Sequence, residues 1–168
     1  MKAPNLRASL QVGFALAAGA LFLAPAPAAA EASPVIDFSK SDPAMEAAKA
    51  KGRASIATFW SAYAAPKPNE EGFALKVGFP TKGTSAEHIW VFDVKREGAG
   101  RYTGRLANEP RDIVNKHAGD AVEFGEGQIS DWMFLRNGKW VGAETIRPMI
   151  ARMPKELAAQ YRQRFETP

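Results

Sequence analysis

Two aspartates lie where the surrounding residues predict an apolar strand face. Asp93 follows Val91, and Asp131 precedes Met133, at the spacing of two that places both members of each pair on one side of a strand. A carboxylate on such a face needs a partner, because burying an unpaired charge is costly. Two carboxylates with shifted pKa values could also perform acid–base chemistry in a cleft. Internal salt bridges and a hydrolytic carboxylate pair therefore both remain open.

The candidate partners of these carboxylates are Arg105 and Arg147. A guanidinium offers several hydrogen-bond donors in a planar arrangement that matches a carboxylate. We expect Asp131 to pair with one of these arginines, and we expect that pair to be chiefly structural.

A second group of residues has the chemistry of recognition. Asn108 and Glu109 precede Pro110 in a segment that ends a predicted strand, so their side chains are expected in a loop. Trp132 follows Asp131 directly and could contribute an aromatic ring to a binding surface. The candidate binding residues are Asn108, Glu109, Asp131, Trp132, Arg105 and Arg147.

The sequence contains no pattern that is typical of metal-dependent or covalent catalysis. His88 and His117 are its two histidines, and cysteine is absent. Neither histidine belongs to a metal-binding motif such as His-Glu-x-x-His. No Gly-x-Ser-x-Gly motif or phosphate-binding glycine-rich loop occurs. We therefore expect no metal and no cofactor.

The N-terminal segment has the three regions of a cleavable export signal. Lys2 and Arg7 provide the positive region, and residues 10–23 are almost entirely apolar. A membrane-spanning helix needs about 20 residues, which is more than this run provides. We expect a Sec-type signal peptide over residues 1–30, with cleavage after Ala30 or, as the alternative, after Ala32. The mature protein would then be periplasmic or secreted, without a membrane anchor.

The composition of the mature chain limits its partners. Without the signal peptide, 20 basic residues face 18 acidic residues, so the chain is nearly neutral. Nucleic-acid-binding domains usually carry a strongly basic face, which argues against such a partner. The lack of cysteine excludes both disulfides and a lipid-modified N-terminus. We expect residues 31–41 to form an extended lead-in and residues 42–168 to form a single domain.

The pattern of apolar residues predicts an α+β fold. Asp42 and Pro43 favour the start of a helix that continues to residue 63. Strands with a period of two follow, and Asn137-Gly138 favours a hairpin between the last two. The predicted strands are 73–79, 87–94, 101–106, 121–124, 128–136 and 139–141, the last continuing toward Arg147. A helix follows Pro154. We expect a curved antiparallel sheet of five or six strands, open or barrel-like, with the N-terminal and C-terminal helices packed on it.

Several stretches along the chain resemble one bacterial family. They are Asp42-Pro43-Ala44-Met45, Glu87-His88-Ile89-Trp90-Val91, residues 104–110, residues 119–124, Ile129-Ser130-Asp131-Trp132-Met133, and Gly142 with Thr145-Ile146-Arg147. In this order the stretches resemble the uncharacterised YegJ-like domain of unknown function, over about residues 42–147. The resemblance implies one domain and carries no activity with it.

Together these patterns favour an exported binding or interaction module over an enzyme. Its ligand would be another envelope protein or a small molecule, bound through the loop at Asn108 and Glu109 and through the region of Asp131 and Trp132. The alternative is a small cell-envelope hydrolase that uses Asp93 and Asp131. A hydrolase requires these two carboxylates to converge in an open cleft, whereas a binding module does not.

Overall fold

The structure, a computed structural model, describes residues 42–82 and 86–167. The predicted signal peptide, residues 1–30, and the predicted lead-in, residues 31–41, lie outside the described residues.

Two consecutive helices open the described chain where the sequence predicts one. Helix α1 spans Pro43–Ala54 and helix α2 spans Ile56–Ala64. Asp42 caps α1 as predicted, since its carboxylate accepts a hydrogen bond from the backbone N–H of Met45 at 3.0 Å. The break falls at Ser55, whose hydroxyl donates to the carbonyl of Lys51 at 2.9 Å. This side-chain bond competes with the helical backbone, so the single long helix was the wrong prediction.

Six antiparallel strands form one sheet, which confirms the predicted α+β fold. The strands are β1 (Glu70–Pro80), β2 (Ala86–Gly98), β3 (Arg101–Leu106), β4 (Ala121–Gly125), β5 (Ile129–Arg136) and β6 (Lys139–Gly142). Their order in the sheet is β4-β3-β2-β1-β5-β6. The first and last strands of this order are not paired with each other, so the sheet is curved but open and the barrel-like alternative is wrong.

A β-bulge at Asp93 changes the face of the sheet on which the following side chains of β2 lie. Asp93 has a φ of 51°, and the β2–β3 register shifts between Phe92 and Lys95. The extra residue places Val94 in the same buried cluster as Val91. A strictly alternating strand would place Val94 on the same face as Trp90, but the inserted residue moves it to the face of Val91.

Each face of the sheet is covered by helices. Helix α2 packs one face through Phe59, which is fully buried among the side chains of that face. The second face is covered by α3 (Ile146–Ile150) and α4 (Lys155–Gln163). The C-terminal helix therefore docks on the sheet, as predicted. Strand β6 does not continue to Arg147, because the backbone turns at Gly142, where φ is 78°.

The chain returns to the edge strand β6 after α4. The backbone N–H of Trp140 donates to the carbonyl of Arg164 at 2.6 Å, and the N–H of Glu166 donates to the carbonyl of Trp140 at 3.0 Å. Phe165 forms a parallel bridge with Trp140 and is buried in the cluster beneath α3 and α4. The C-terminal segment thus satisfies backbone groups that an edge strand would otherwise expose.

Candidate functional site

Asp131 lies at the centre of a buried polar network. Its side chain is fully buried, with a fractional exposure of 0%. Among the described residues its carboxylate accepts hydrogen bonds from the backbone N–H of Trp132 at 2.8 Å and from the N–H and hydroxyl of Thr145, both at 2.7 Å. Lys76 Nζ donates to the same hydroxyl at 3.1 Å. Thr145 therefore links an ammonium to a carboxylate, and the predicted arginine partner of Asp131 is replaced by Lys76.

Burial shifts the pKa values of both charged groups toward their neutral forms. It raises the pKa of Asp131, although the hydrogen bonds from Thr145 and Trp132 oppose the change. It lowers the pKa of Lys76 to about 8, although the charge of Asp131 opposes this change. Each group thus supports the charged state of the other, while the apolar surroundings disfavour both charges.

A second bulge positions Asp131 for this contact. In the β1–β5 register Lys76 faces Asp131, and the next pair along is Val77 with Ile129, so Ser130 is the additional residue. Ile129 therefore enters the core with Val77. A strictly alternating strand would place Ile129 on the same face as Asp131, but the inserted Ser130 moves Ile129 to the other face.

Helix α1 approaches the network at a glycine. A Cβ atom built on Gly52 would lie 2.7 Å from Asp131 Oδ1 and 3.1 Å from the carbonyl oxygen of Ser130. The indole N–H of Trp132 donates to the carbonyl of Gly52 at 3.0 Å. The absence of a side chain at this position allows the helix backbone to contact β5 directly.

The buried Ser130 and the partly buried His88 extend the network along the sheet. Ser130 Oγ donates to the carbonyl of Lys76 at 3.1 Å and lies 2.9 Å from His88 Nδ1. Burial lowers the pKa of His88 to about 4, and the nearby charges of Lys49 and Lys76 act in the same direction. A neutral imidazole at this position fits the hydrogen bond with a serine hydroxyl.

The low pKa of Lys76 has a measurable effect on stability. The folded chain releases this proton near pH 8, whereas an unfolded lysine keeps it to about pH 10.4. Between these values the unfolded state binds more protons, so Lys76 makes stability rise with pH. We expect the free energy of unfolding of the wild type to increase across this window relative to Lys76→Met. NMR of the Lys76 Cε–Hε resonance should give a midpoint near pH 8, and a midpoint above pH 10 would contradict the expectation.

The other charged candidates lie apart from Asp131. Arg105 donates to the carbonyl of Gly119 at 3.0 Å, and Arg147 pairs with Glu144 at 3.2 Å. Asp93 is exposed at its bulge. Strand β1 separates the strands that carry the two aspartates. The structure therefore does not bring these four candidates together into one site.

Asn108 and Glu109 lie in the loop that joins β3 to β4, residues 107–120, here called the β3–β4 loop. One Glu109 oxygen lies 2.7 Å from His117 Nδ1, and the other accepts from the backbone N–H of Ala118 at 3.0 Å. The bond from Ala118, followed by that with His117, lowers the pKa of Glu109. The bond with Glu109 raises the pKa of His117. The contacts of Glu109 with His117 and Ala118 thus connect the beginning of the loop to its end.

Further side chains hold the middle of the loop against the sheet. Glu87, on β2, accepts from the backbone N–H groups of Arg111 and Asp112, both at 2.7 Å. Lys116 donates to the carbonyl of Ala121 at 2.8 Å. These contacts give a defined shape to a segment that has neither helix nor strand.

The β3–β4 loop presents an apolar side chain to solvent. Val114 is 54% exposed, while its neighbour Ile113 packs on the core. Asn108 and Glu109 are also exposed, and they lie in a loop, as the sequence predicts. Trp132, by contrast, is only 3% exposed, so it and Asp131 cannot contact a ligand in this conformation. Of the two predicted recognition regions, the one at Asn108 and Glu109 is therefore a surface loop, and the one at Asp131 and Trp132 is a buried network.

The sequence patterns did not identify four residues that matter in these arrangements. Lys76 and Thr145 complete the Asp131 network, His117 lies within hydrogen-bond distance of Glu109 in the loop, and Val114 is exposed on the same loop. Lys76 alternates with apolar neighbours on a predicted strand, which could have marked it as a partner for a buried carboxylate. Val114 is one of two adjacent apolar residues in a mostly polar segment, and the sequence pattern does not indicate whether Ile113 or Val114 is the exposed one.

Within residues 42–82 and 86–167, no group of three or more histidine, aspartate or glutamate side chains is arranged to hold a metal ion. None of the helices within these ranges combines the length and apolar character that crossing a membrane requires.

Comparison with known proteins identifies the family. A family described as an uncharacterised protein conserved in bacteria, DUF2314, matches residues 42–166. The uncharacterised protein YegJ of Escherichia coli is 33% identical over 96 residues, which cover 57% of this chain and 61% of YegJ. A putative ankyrin repeat protein of Neisseria meningitidis is 39% identical over 74 residues, 44% of this chain and 29% of that protein. The chain thus spans less than two thirds of either relative. No solved structure matches it significantly. The chain belongs to the DUF2314 family, as its YegJ-like stretches predicted.

Proposed function

We propose that the protein is an exported binding module that recognises another envelope protein through its β3–β4 loop. The observation that carries this proposal is the exposure of Val114 at 54% on a loop whose backbone is held by side-chain hydrogen bonds. Both Asn108 and Glu109 lie on the same loop. Export is part of the proposal because it rests on the N-terminal sequence pattern.

The construction of the loop supports this role. Loops of more than about 12 residues without regular structure are uncommon in small domains and are usually functional when ordered. The contacts of Glu87 and Glu109 fix the loop before any partner arrives. A preorganised surface loses less conformational entropy on binding than a mobile one does. An apolar side chain surrounded by polar groups is also a common arrangement for an interface anchor.

The placement of Asp131 favours binding over the hydrolase alternative. A general acid, general base or nucleophile must reach its substrate, directly or through one water. Asp131 is fully buried, and both of its carboxylate oxygens accept hydrogen bonds from Trp132 and Thr145. Asp93 is exposed on a different strand. These positions support a structural role for Asp131.

Site-specific photo-crosslinking in living cells tests the proposal. A photoreactive amino acid at position 108 should give a discrete adduct with one envelope protein, in which the mature chain begins at Glu31 or Ser33. The same probe at position 160, an exposed position on α4, is the matched control and should not give that adduct. Introducing Val114→Asp beside the probe at position 108 should abolish the adduct, because a charge at the centre of an apolar contact is costly.

The stability of Val114→Asp separates recognition from folding. Because Val114 is exposed, the variant should keep its free energy of unfolding within about 0.5 kcal/mol of the wild type. Equal adducts at positions 108 and 160, or an adduct that survives Val114→Asp, would refute recognition by the loop. An unprocessed N-terminus on the cross-linked chain would refute export.

A further inference from the structure

A groove beside β6, at the opposite edge of the sheet from β4, is lined by several basic side chains. It also lies beside α4 and the returning C-terminal segment, and its volume is about 710 Å³. We call it the C-terminal groove. Its lining residues are Lys139, Arg147, Ile150, Arg162, Gln163, Phe165, Glu166 and Thr167.

The charges within the C-terminal groove are not balanced. Glu166 is the carboxylate of the lining, and it already pairs with Arg136 at 3.1 Å. Lys139 donates to the carbonyl of Gln163 at 2.6 Å, which satisfies a donor without cancelling the charge. No described residue forms a hydrogen bond or ion pair with the Arg162 guanidinium. The groove therefore retains net positive charge.

The guanidinium of Arg147 contributes a further positive charge to the C-terminal groove, and its position is defined by two contacts. Its guanidinium carbon lies 4.1 Å from the centre of the Phe165 ring, a distance at which the aromatic face attracts a cation. Arg147 also pairs with Glu144, but Glu144 is shared with Lys51 at 3.0 Å. The Glu144 carboxylate is thus shared by two basic side chains, so positive charge remains next to the ring of Phe165.

We propose that the C-terminal groove binds an acidic, extended peptide segment of a partner protein. Arg147, Arg162 and Lys139 offer charge to carboxylates, and the ring of Phe165 with the aliphatic parts of the basic side chains offers an apolar wall. A concave channel suits a single extended chain, whereas a lipid bilayer presents a flat surface. The proposal is independent of the β3–β4 loop, because β4 and β6 are opposite edges of the sheet.

Fluorescence anisotropy of the mature protein with a labelled peptide of alternating glutamate and leucine tests the groove. The peptide should bind with an affinity that falls as salt is raised, since exposed charges are screened. Arg162→Glu should weaken binding by about tenfold. Lys155→Glu makes the same change of charge on the same helix but outside the groove, so it should alter the affinity by less than about twofold.

Three outcomes would overturn the proposal. The first is equal binding of a peptide in which glutamine replaces glutamate, because charge would then play no part. The second is equal weakening by Arg162→Glu and Lys155→Glu, which would indicate attraction to the helix as a whole. The third is the absence of peptide binding together with binding to phosphatidylglycerol vesicles that Arg162→Glu abolishes, which would assign the cations to a membrane surface. Circular dichroism of each variant verifies that the fold is retained.

Discussion

Replacing Asp131 with alanine is expected to lower the free energy of unfolding by about 3–5 kcal/mol. The substitution removes the acceptor for the backbone N–H groups of Trp132 and Thr145 and for the Thr145 hydroxyl, all of which are buried. It also leaves Lys76 without the carboxylate that favours its charged form. Urea denaturation followed by tryptophan fluorescence measures the change.

Two comparisons isolate the role of the Asp131 network. Asp112→Ala removes an exposed carboxylate and should change the free energy of unfolding by no more than about 0.5 kcal/mol. In a Lys76→Met background the loss caused by Asp131→Ala should shrink by about 1 kcal/mol or more, because no buried ammonium is then left unpaired. If Asp131→Ala proved neutral or stabilising, the structural role would be refuted and the carboxylate would become a candidate for binding or catalysis.

Gly52→Ala is expected to destabilise the protein by about 1–3 kcal/mol. Alanine in the interior of a helix normally stabilises relative to glycine by about 1 kcal/mol, so the expected sign is reversed. The reason is steric, since the new Cβ would lie 2.7 Å from Asp131 Oδ1 and 3.1 Å from the backbone oxygen of Ser130. Helix α1 would have to move away from β5, and the hydrogen bond from Trp132 to the carbonyl of Gly52 would lengthen.

A double-mutant cycle identifies the origin of this cost. In an Asp131→Ala background the nearest atom to the new Cβ is gone, so Gly52→Ala should cost less there than in the wild type. Ala50→Gly, on the exposed side of α1, measures the intrinsic helix preference alone and should cost about 1 kcal/mol. A gain in stability from Gly52→Ala would show that α1 does not press against β5.

Local patterns in the sequence were sufficient to predict most of the elements. The alternation of Leu75, Val77 and Phe79 defines one face of β1, and Asn137-Gly138 forms the turn between β5 and β6. Two of the register shifts in the sheet, the bulges at Asp93 and Ser130, could not be predicted in this way. Each inserts one residue without a distinctive residue type, and each moves the following side chains to the other face of the sheet.

The partner of Asp131 required information that the sequence pattern does not contain. The predicted arginine pair was wrong, because the register of β1 with β5 places Lys76 near Asp131 and the two side chains are joined through the Thr145 hydroxyl. Thr145 reaches the carboxylate only because the chain turns after β6. Ser55, at the break between α1 and α2, also contacts a distant segment, since its hydroxyl accepts from the indole of Trp132 at 3.1 Å. Predicting these contacts requires the positions of distant segments.

The position of β1 between β2 and β5 has a consequence for the order of folding. Strands β1, β2 and β3 can pair in sequence through short connections, and so can β5 with β6, whereas β4 joins β3 through the longer β3–β4 loop. The β1–β5 pairing instead joins residues more than fifty positions apart, such as Lys76 and Asp131. Loop-closure entropy favours the local pairings first, which leaves one side of β1 without a partner in the meantime. A lysine in the middle of that strand discourages pairing with another chain during this interval, because a charge on an unpaired edge opposes aggregation.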